Sequence, residues 1–281
     1  MAELSIRPMT AAEVASVALE WAAREGWNPG PHDAAPFHVQ DPAGFLFGEL
    51  NGEPVGCISA IVYPDAFGFL GFYIVRPELR GRGYGMQLWR AALEHLGERN
   101  VGLDGVVEQQ HNYRKSGFRL AYNNARYRGQ GLNGSLCPGI VPVAEVDRRA
   151  LYAYDRELFP APRPDFLDLW LAPPAGRAYV ALDPNGCVAG YGVIRRCREG
   201  CKIGPLFAED SDLADRLFRA LVPYAEGGPV FLDIPEPHAA AYALTQRYGM
   251  DKVFATARMY SQYDPELPLA RIFGVTSFEL G

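Results

Sequence analysis

The chain has 281 residues, 48% hydrophobic and 21% charged, with a net charge of −6. That composition can bury a core in one large domain or two ordinary ones and excludes a disordered or collagen-like chain. The acidic balance argues against a general nucleic-acid binder, no run reaches the ~20 apolar residues of a membrane helix, and the opening MAELSIRPMT is not a secretory signal, so a cytoplasmic protein is expected.

In chain order, Thr10-x-x-Glu13 forms a capping box for a helix that ends at Gly26, with Val14, Val17, Ala18 and Trp21 on one face. Residues 24–37, REGWNPGPHDAAPF, then read as a long loop rich in proline and aromatic residues. Asn51-Gly52 sits between the apolar runs FLFGEL and VGCISAIVY, and an Asn-Gly pair tolerates the positive φ of a tight hairpin. An apolar strand, FYIV, leads through RPELRGRGYG into MQLWRAALEHLG, where Trp89, Ala92, Leu93 and Leu96 make one stripe and Gly97 stops the helix. VGLDGVV (101–107) reads as a buried strand.

These features return. Asn185-Gly186 separates AYVAL from CVAGYGVI, SDLADRLFRALVPY is an amphipathic helix on Leu213, Leu217 and Leu221, and PVFLDIP repeats the Leu-Asp strand. Gly52 and Gly186 are 134 residues apart, whereas Gly117 and Gly249, and Ala125 and Ala257, are 132 apart. Two copies of one α+β unit account for this, one over residues 1–130 and one over 140–281. The Gly-rich GQGLNGSLCPG (129–139) is the linker.

Five cysteines, Cys57, Cys137, Cys187, Cys197 and Cys201, include no C-x-x-C pair. They read as reduced, unpaired thiols, with no metal site.

The segment with chemistry in it is GFYIVRPELRGRGYGMQLW, residues 71–89. Glycines let backbone approach a ligand closely, and a helix start offers unpaired N–H groups and a positive dipole end that suit phosphate. Arg80 and Arg82 add charge that can pair with phosphate in a bidentate manner. Tyr84-Gly85-Met86 lacks the Lys-Ser/Thr of a Walker loop, and Gly81, Gly83 and Gly85 are spaced G-x-G-x-G rather than G-x-G-x-x-G.

V-x-P-x-x-R-G-x-G-x-G, carried by Val75, Pro77, Arg80, Gly81, Gly83 and Gly85, resembles motif A of the GNAT superfamily of acetyltransferases. The two-copy layout, IGPLFAED and the closing GVTSFELG are similar to a two-lobed bacterial subgroup with a divergent C-terminal lobe. The resemblance implies an α+β fold of tandem lobes, each a mixed, mostly antiparallel sheet flanked by helices. It implies acetyl-CoA as co-substrate, with its pyrophosphate on the amides of Arg80, Gly81, Arg82, Gly83, Tyr84 and Gly85 and its pantetheine arm along Phe72, Tyr73, Ile74 and Val75. It also implies transfer to a primary amine, in a small molecule or a peptide, within a ternary complex. A non-catalytic acyl-CoA sensor or a decayed scaffold are the alternatives. Nothing in the sequence speaks to the oligomeric state.

Tyr113, four residues before Gly117-Phe118, matches a family tyrosine that protonates the departing thiolate; on the residues alone it also reads as a ring packed under the sheet. Many members have Asn seven residues before that tyrosine, where Val106 stands here, so a short or irregular helix is expected. The attacking amine must be neutral, which calls for a base. Asp104 and Glu108 are the foremost candidates, with Glu49 and His111 behind them, and Asp104 reads equally as a structural group. In the family the loop after the first helix covers the acceptor, which makes Trp27, Asp33 and Phe37 candidate substrate contacts. In the second copy, Glu209, Asp210 and Asp212 stand where the pyrophosphate would lie and Thr245 replaces the tyrosine. That copy is expected not to bind acetyl-CoA.

Overall fold

A computed structural model describes residues 3–281; the first two residues of the opening segment lie outside it. In the first half, β1 (Ser5–Pro8) precedes α1 (Ala11–Glu13), a π-helical stretch Val14–Ala18, α2 (Leu19–Arg24) and α3 (Ala34–Gln40). The expected capping box is present: the Thr10 hydroxyl accepts from the Glu13 N–H and the Glu13 carboxylate from the Thr10 N–H. Then come β2 (Phe45–Leu50), β3 (Glu53–Tyr63), β4 (Phe67–Val75), α4 (Tyr84–Leu96), β5 (Asn100–Val106), α5 (Gln110–Lys115) and β6 (Arg119–Gly129). Asn51 and Gly52 both take positive φ, at 54° and 81°, as the hairpin requires.

The second half runs β7 (Ile140–Pro142), α6 (Arg148–Arg156), α7 (Pro164–Trp170), β8 (Gly176–Leu182), β9 (Val188–Arg196), β10 (Cys201–Ala208), α8 (Ser211–Leu221), β11 (Val230–Pro235), α9 (Ala239–Arg247), β12 (Asp251–Tyr260) and β13 (Ile272–Gly274). Its hairpin differs from the first. Only Gly186 has positive φ, and the Asp183 carboxylate accepts from the Asn185 and Cys187 N–H groups, so an aspartate organises this turn.

The strands form one sheet in the order β1-β2-β3-β4-β5-β12-β6-β11-β10-β9-β8-β7, with β13 on β10. Among the pairs only β4·β5 and β10·β11 are parallel. The boundary near residue 130 along the chain is not one in space. β6 pairs only with β11 and β12, both from the second half, while β12 pairs with β5 and β6, both from the first. Each half therefore lends one strand to the other, β6 from the first and β12 from the second.

Two buried ion pairs lock the exchange. Arg126 on β6 meets Asp233 on β11 with two contacts of 2.7 Å. Arg258 on β12 meets Asp104 on β5 at 2.6 and 2.9 Å. These are the repeated Ala-Arg and Leu-Asp motifs, each arginine reaching the aspartate of the opposite copy. Losing one member of such a pair strands a buried charge and costs about 3–5 kcal/mol. No helix among the described residues is long and apolar enough to cross a membrane.

Candidate active site

β4 and β5 run side by side from Phe67·Asn100 to Leu70·Leu103 and then separate. Two features of the sequence mark the place. Opposite Ile58 of β3, β4 has two residues, Phe72 and Tyr73, because the register jumps between Cys57·Ile74 and Ser59·Gly71. Phe72 has φ of 47°, a conformation that costs a non-glycine residue energy and gathers at functional sites. Gly105 on β5 has no Cβ, and one placed there would collide with the Tyr113 ring. The wedge opens into a cavity of about 710 Å³, within the range of small-ligand sites.

One end of the cavity is the start of α4. Gly81 and Gly83 both have positive φ, at 75° and 81°, so the loop turns sharply where only glycine is comfortable. Gly83 is the N-cap and no side chain caps the helix, leaving the first amides and the positive dipole end free for an anion. The Arg80 Nε donates to the Val75 carbonyl at 2.8 Å, and its guanidinium also pairs with Glu25. Arg82 is exposed and makes no ion pair among the described residues. The Tyr84 ring turns into the core, so only its backbone faces the loop. Gly85 lines the cavity, and a Cβ there would come within 2.5 Å of the Tyr73 hydroxyl oxygen.

Mid-cavity, Tyr113 packs on Trp89 with ring centroids 5.7 Å apart, and Tyr73 packs on the same indole at 5.5 Å. Burial, with a smaller push from Tyr73, drives the Tyr113 phenol up to about 12, so it is a neutral donor throughout the physiological range. As Val106 implied, α5 is short, six residues after a 3₁₀ turn at Val107–Gln109.

The other candidates separate. Trp27 lines the cavity, and its carbonyl accepts from Arg126 at 2.7 Å. Asp33 and Phe37 do not line it. The Asp33 carboxylate is held by Arg195 at 2.8 and 3.2 Å and by the Gly30 N–H, and Phe37 stacks on Trp170 in the core at 5.7 Å. The loop is stapled to the second half, Asn28 bonding the Glu199 backbone in both directions, so its acidic residue faces that half instead of the cavity. Glu108 is exposed on the 3₁₀ turn and Glu49 pairs with Arg7; neither lines the cavity. Asp104 does, but Arg258 and Asn124 occupy its oxygens. Burial pushes its carboxyl up, against the pull of Arg258.

Sequence reasoning missed the far wall: Arg126, Phe254, Thr256, Phe278 and Glu279. All but Arg126 come from the second half. The nearest signal in the sequence is an acidic residue inside the otherwise uncharged closing run VTSFEL. Among the described residues there is no cluster of side chains suited to a metal ion.

The second half carries the same parts and closes them. β10 and β11 pair over Cys201–Ile203 and then part, but β13 pairs with β10 at Leu206 and Phe207 and fills the gap. Asp210 caps α8 with its own carboxylate, accepting from Leu213 N–H at 2.9 Å. Thr245, standing where Tyr113 stands in the first half, donates to the Tyr242 carbonyl at 2.8 Å.

A splayed parallel strand pair, with an uncapped glycine-rich helix start at one end and a buried phenol within, defines an acyl-transferase type of site. Sequence comparison agrees. Residues 14–118 match the acetyltransferase (GNAT) family and residues 151–274 an acetyltransferase (GNAT) domain. The holothin acyltransferase of Pseudoalteromonas sp. (strain SANK 73390) is 33% identical over 264 residues, covering 93% of this chain and 90% of that one. An uncharacterised N-acetyltransferase of Bacillus subtilis (strain 168), YitH, is 23% identical over 91% of each chain. A candidate acetyltransferase of Pyrococcus horikoshii shares the fold with a TM-score of 0.82 at 22% identity, over 100% of this chain and 97% of that one. A tandem GNAT protein from the clavulanic acid biosynthesis pathway superposes with a TM-score of 0.65 at 16% identity, over 92% and 98%. The chain belongs to the GNAT acetyltransferase family, with two GNAT lobes.

Proposed function

We propose that the chain transfers the acetyl group of acetyl-CoA to a primary amine by direct attack in a ternary complex, and that the site belongs to the lobe of residues 1–130, with 140–281 in support. The observation that carries this is the single cavity joining the uncapped start of α4 to Tyr113 and on to a far wall with aromatic and charged groups. The amides of residues 80–85 suit the pyrophosphate, and the backbone of Phe72–Val75 at the bulge suits the pantetheine arm. The cavity runs from the start of α4 past Tyr113 to Phe254 and Glu279, a layout that would suit an amine bound beside the thioester and attack without an acyl-enzyme. No cysteine lines it, and burial drives the Cys57 thiol up to about 12, so no nucleophilic thiol stands ready.

Tyr113 donates to the departing sulfur. A phenol near 12 would lose ground in giving its proton outright to a thiolate with a pKa near 8.5. It therefore acts as a relay, passing its proton to sulfur as it gains one from the attacking nitrogen.

The test is CoA release from acetyl-CoA with a panel of primary amines. Holothin belongs in the panel, because a relative carries it in its name. Initial-rate lines for the two substrates should intersect; parallel lines would point to an acyl-enzyme. Tyr113→Phe should lower kcat by ~10²–10³-fold with acetyl-CoA affinity unchanged. A wild type that binds acetyl-CoA and releases no CoA with any amine would be a sensor instead.

A further inference from the structure

Resting on that reading, we propose that Glu279, delivered by the C-terminal tail of the second lobe, takes the proton from the acceptor amine. Three carboxylates line the cavity: Glu25, Asp104 and Glu279. Glu25 is paired with Arg80 at the phosphate end. Asp104 has Arg258 on both oxygens and Asn124 on one, so protonating it would strand the buried Arg258. The Glu279 carboxylate forms no hydrogen bond or ion pair among the described residues, yet the residue is only 5% exposed. Its oxygens are not among the fully buried polar atoms that lack a partner, so the carboxylate opens onto the cavity it lines, free to meet a ligand.

The tail sets its position. Gly71 lies beside the bulge of β4, and a Cβ there would collide with the Glu279 carbonyl oxygen. The side chain thus starts one residue from Phe72, at the root of the wedge. The Leu280 N–H donates to the Ser277 hydroxyl at 3.0 Å, and the Tyr63 hydroxyl donates to the Leu280 carbonyl at 3.0 Å, which pin the residues on either side. Phe278 and Phe254 are 6.3 Å apart between ring centroids and stand beside the carboxylate in the same wall.

The chemistry balances. The acceptor arrives as an ammonium and gives one proton to Glu279. The neutral nitrogen attacks the thioester carbon; the C–N bond forms and the C–S bond breaks. The nitrogen's surplus proton reaches the sulfur through Tyr113, and Glu279 returns its proton to solvent. The products are the amide, CoA thiol and one proton. The carboxylate would attract the ammonium before deprotonating it, while the Phe254 and Phe278 rings beside it already carry Arg126, at 5.9 and 5.0 Å.

Glu279 also lies in the field of Arg126, Arg195 and Lys202, so a purely structural counter-charge is the rival role. Two variants separate the roles on the full chain. Glu279→Asp keeps the charge and withdraws the carboxylate by one methylene: a base loses kcat/KM by ~10-fold or more, a counter-charge loses nothing. Glu279→Gln should lower kcat/KM by ~10²–10³-fold, with acetyl-CoA affinity retained by calorimetry. The loss should grow with the basicity of the acceptor and shrink for weakly basic amines that arrive neutral. Equal losses across acceptors, or a fully active Glu279→Asp, would overturn the assignment and leave the transferase intact. Turnover absent in the wild type itself would instead overturn the transferase, and Glu279 with it.

Discussion

The two lobes make one instructive pair of wedges. In each, a parallel strand pair begins together and parts, at Leu70·Leu103 and at Ile203·Leu232. In the first lobe the gap is left to a cavity, the following helix starts on an uncapped glycine, and a phenol faces the space. In the second, β13 fills the gap, Asp210 caps the helix and a threonine bonds its own helix. In the second lobe the places that stand open in the first are thus occupied from within the chain, and each occupant is traceable to a few residues. The second lobe also serves the first: β12 completes the first lobe's sheet, and its tail walls the cavity.

The largest expected effect follows from the strand exchange. Residues 1–130 produced alone would keep β6 with no strand to pair with, leave β5 without β12, and leave Asp104 without Arg258. Such a fragment should show no cooperative unfolding transition, and the whole chain should unfold in one calorimetric transition with matching van't Hoff and calorimetric enthalpies. Two separate transitions would mean that the lobes are independent despite the shared strands.

Next is the helix start. Gly83→Asp gives the first lobe the cap residue of the second and puts a carboxylate where we propose the pyrophosphate binds. Acetyl-CoA affinity should fall by ~100-fold from like-charge repulsion in a partly desolvated site, with folding retained, since aspartate tolerates positive φ better than most residues. An affinity unchanged in a calorimetric titration would remove the pyrophosphate from this loop.

Smaller, and different in kind, is the acid response. Asp104 and Asp233 are counterparts with opposite tendencies. Burial works to raise both, but Arg126, with Lys202 and Arg195 nearby, holds Asp233 below the ordinary value, whereas Asp104 ends above it. A carboxyl with a depressed folded pKa stabilises fully above its unfolded value, near 3.9, and loses that contribution as the pH falls through its folded value. Asp233→Asn should cost about 3–5 kcal/mol at pH 7 and flatten the decline of stability below about pH 4. An unaltered acid slope in denaturant titrations would assign the acid sensitivity elsewhere.

Much of this was legible in the sequence, and the gaps have physical causes. The loop at residues 77–85 is local: strand, glycines and helix follow one another in the chain, so the helix start could be placed before any fold was known. The duplicated Leu-Asp and Ala-Arg motifs were visible too. Their crossed pairing was not, because repeat spacing says which residues correspond and nothing of which lobe each strand joins. Asp33 was misplaced for the same reason: its partner, Arg195, lies 162 residues away. Glu279 was hidden because its setting is made by Gly71, Phe254 and Phe278, which meet only in the folded chain.

The smallest effect is the most direct check on the second lobe. Thr245 takes the position that Tyr113 has in the first lobe, but its hydroxyl only donates to the Tyr242 carbonyl one turn back, within α9. Thr245→Val keeps the shape and removes that bond, at a cost of about 1 kcal/mol. Turnover should stay within about twofold of wild type, against the ~10²–10³-fold loss for Tyr113→Phe. A comparable loss of kcat from Thr245→Val, at unchanged stability, would show chemistry in a lobe whose wedge is filled by β13, and the comparison between the lobes would have to be drawn again.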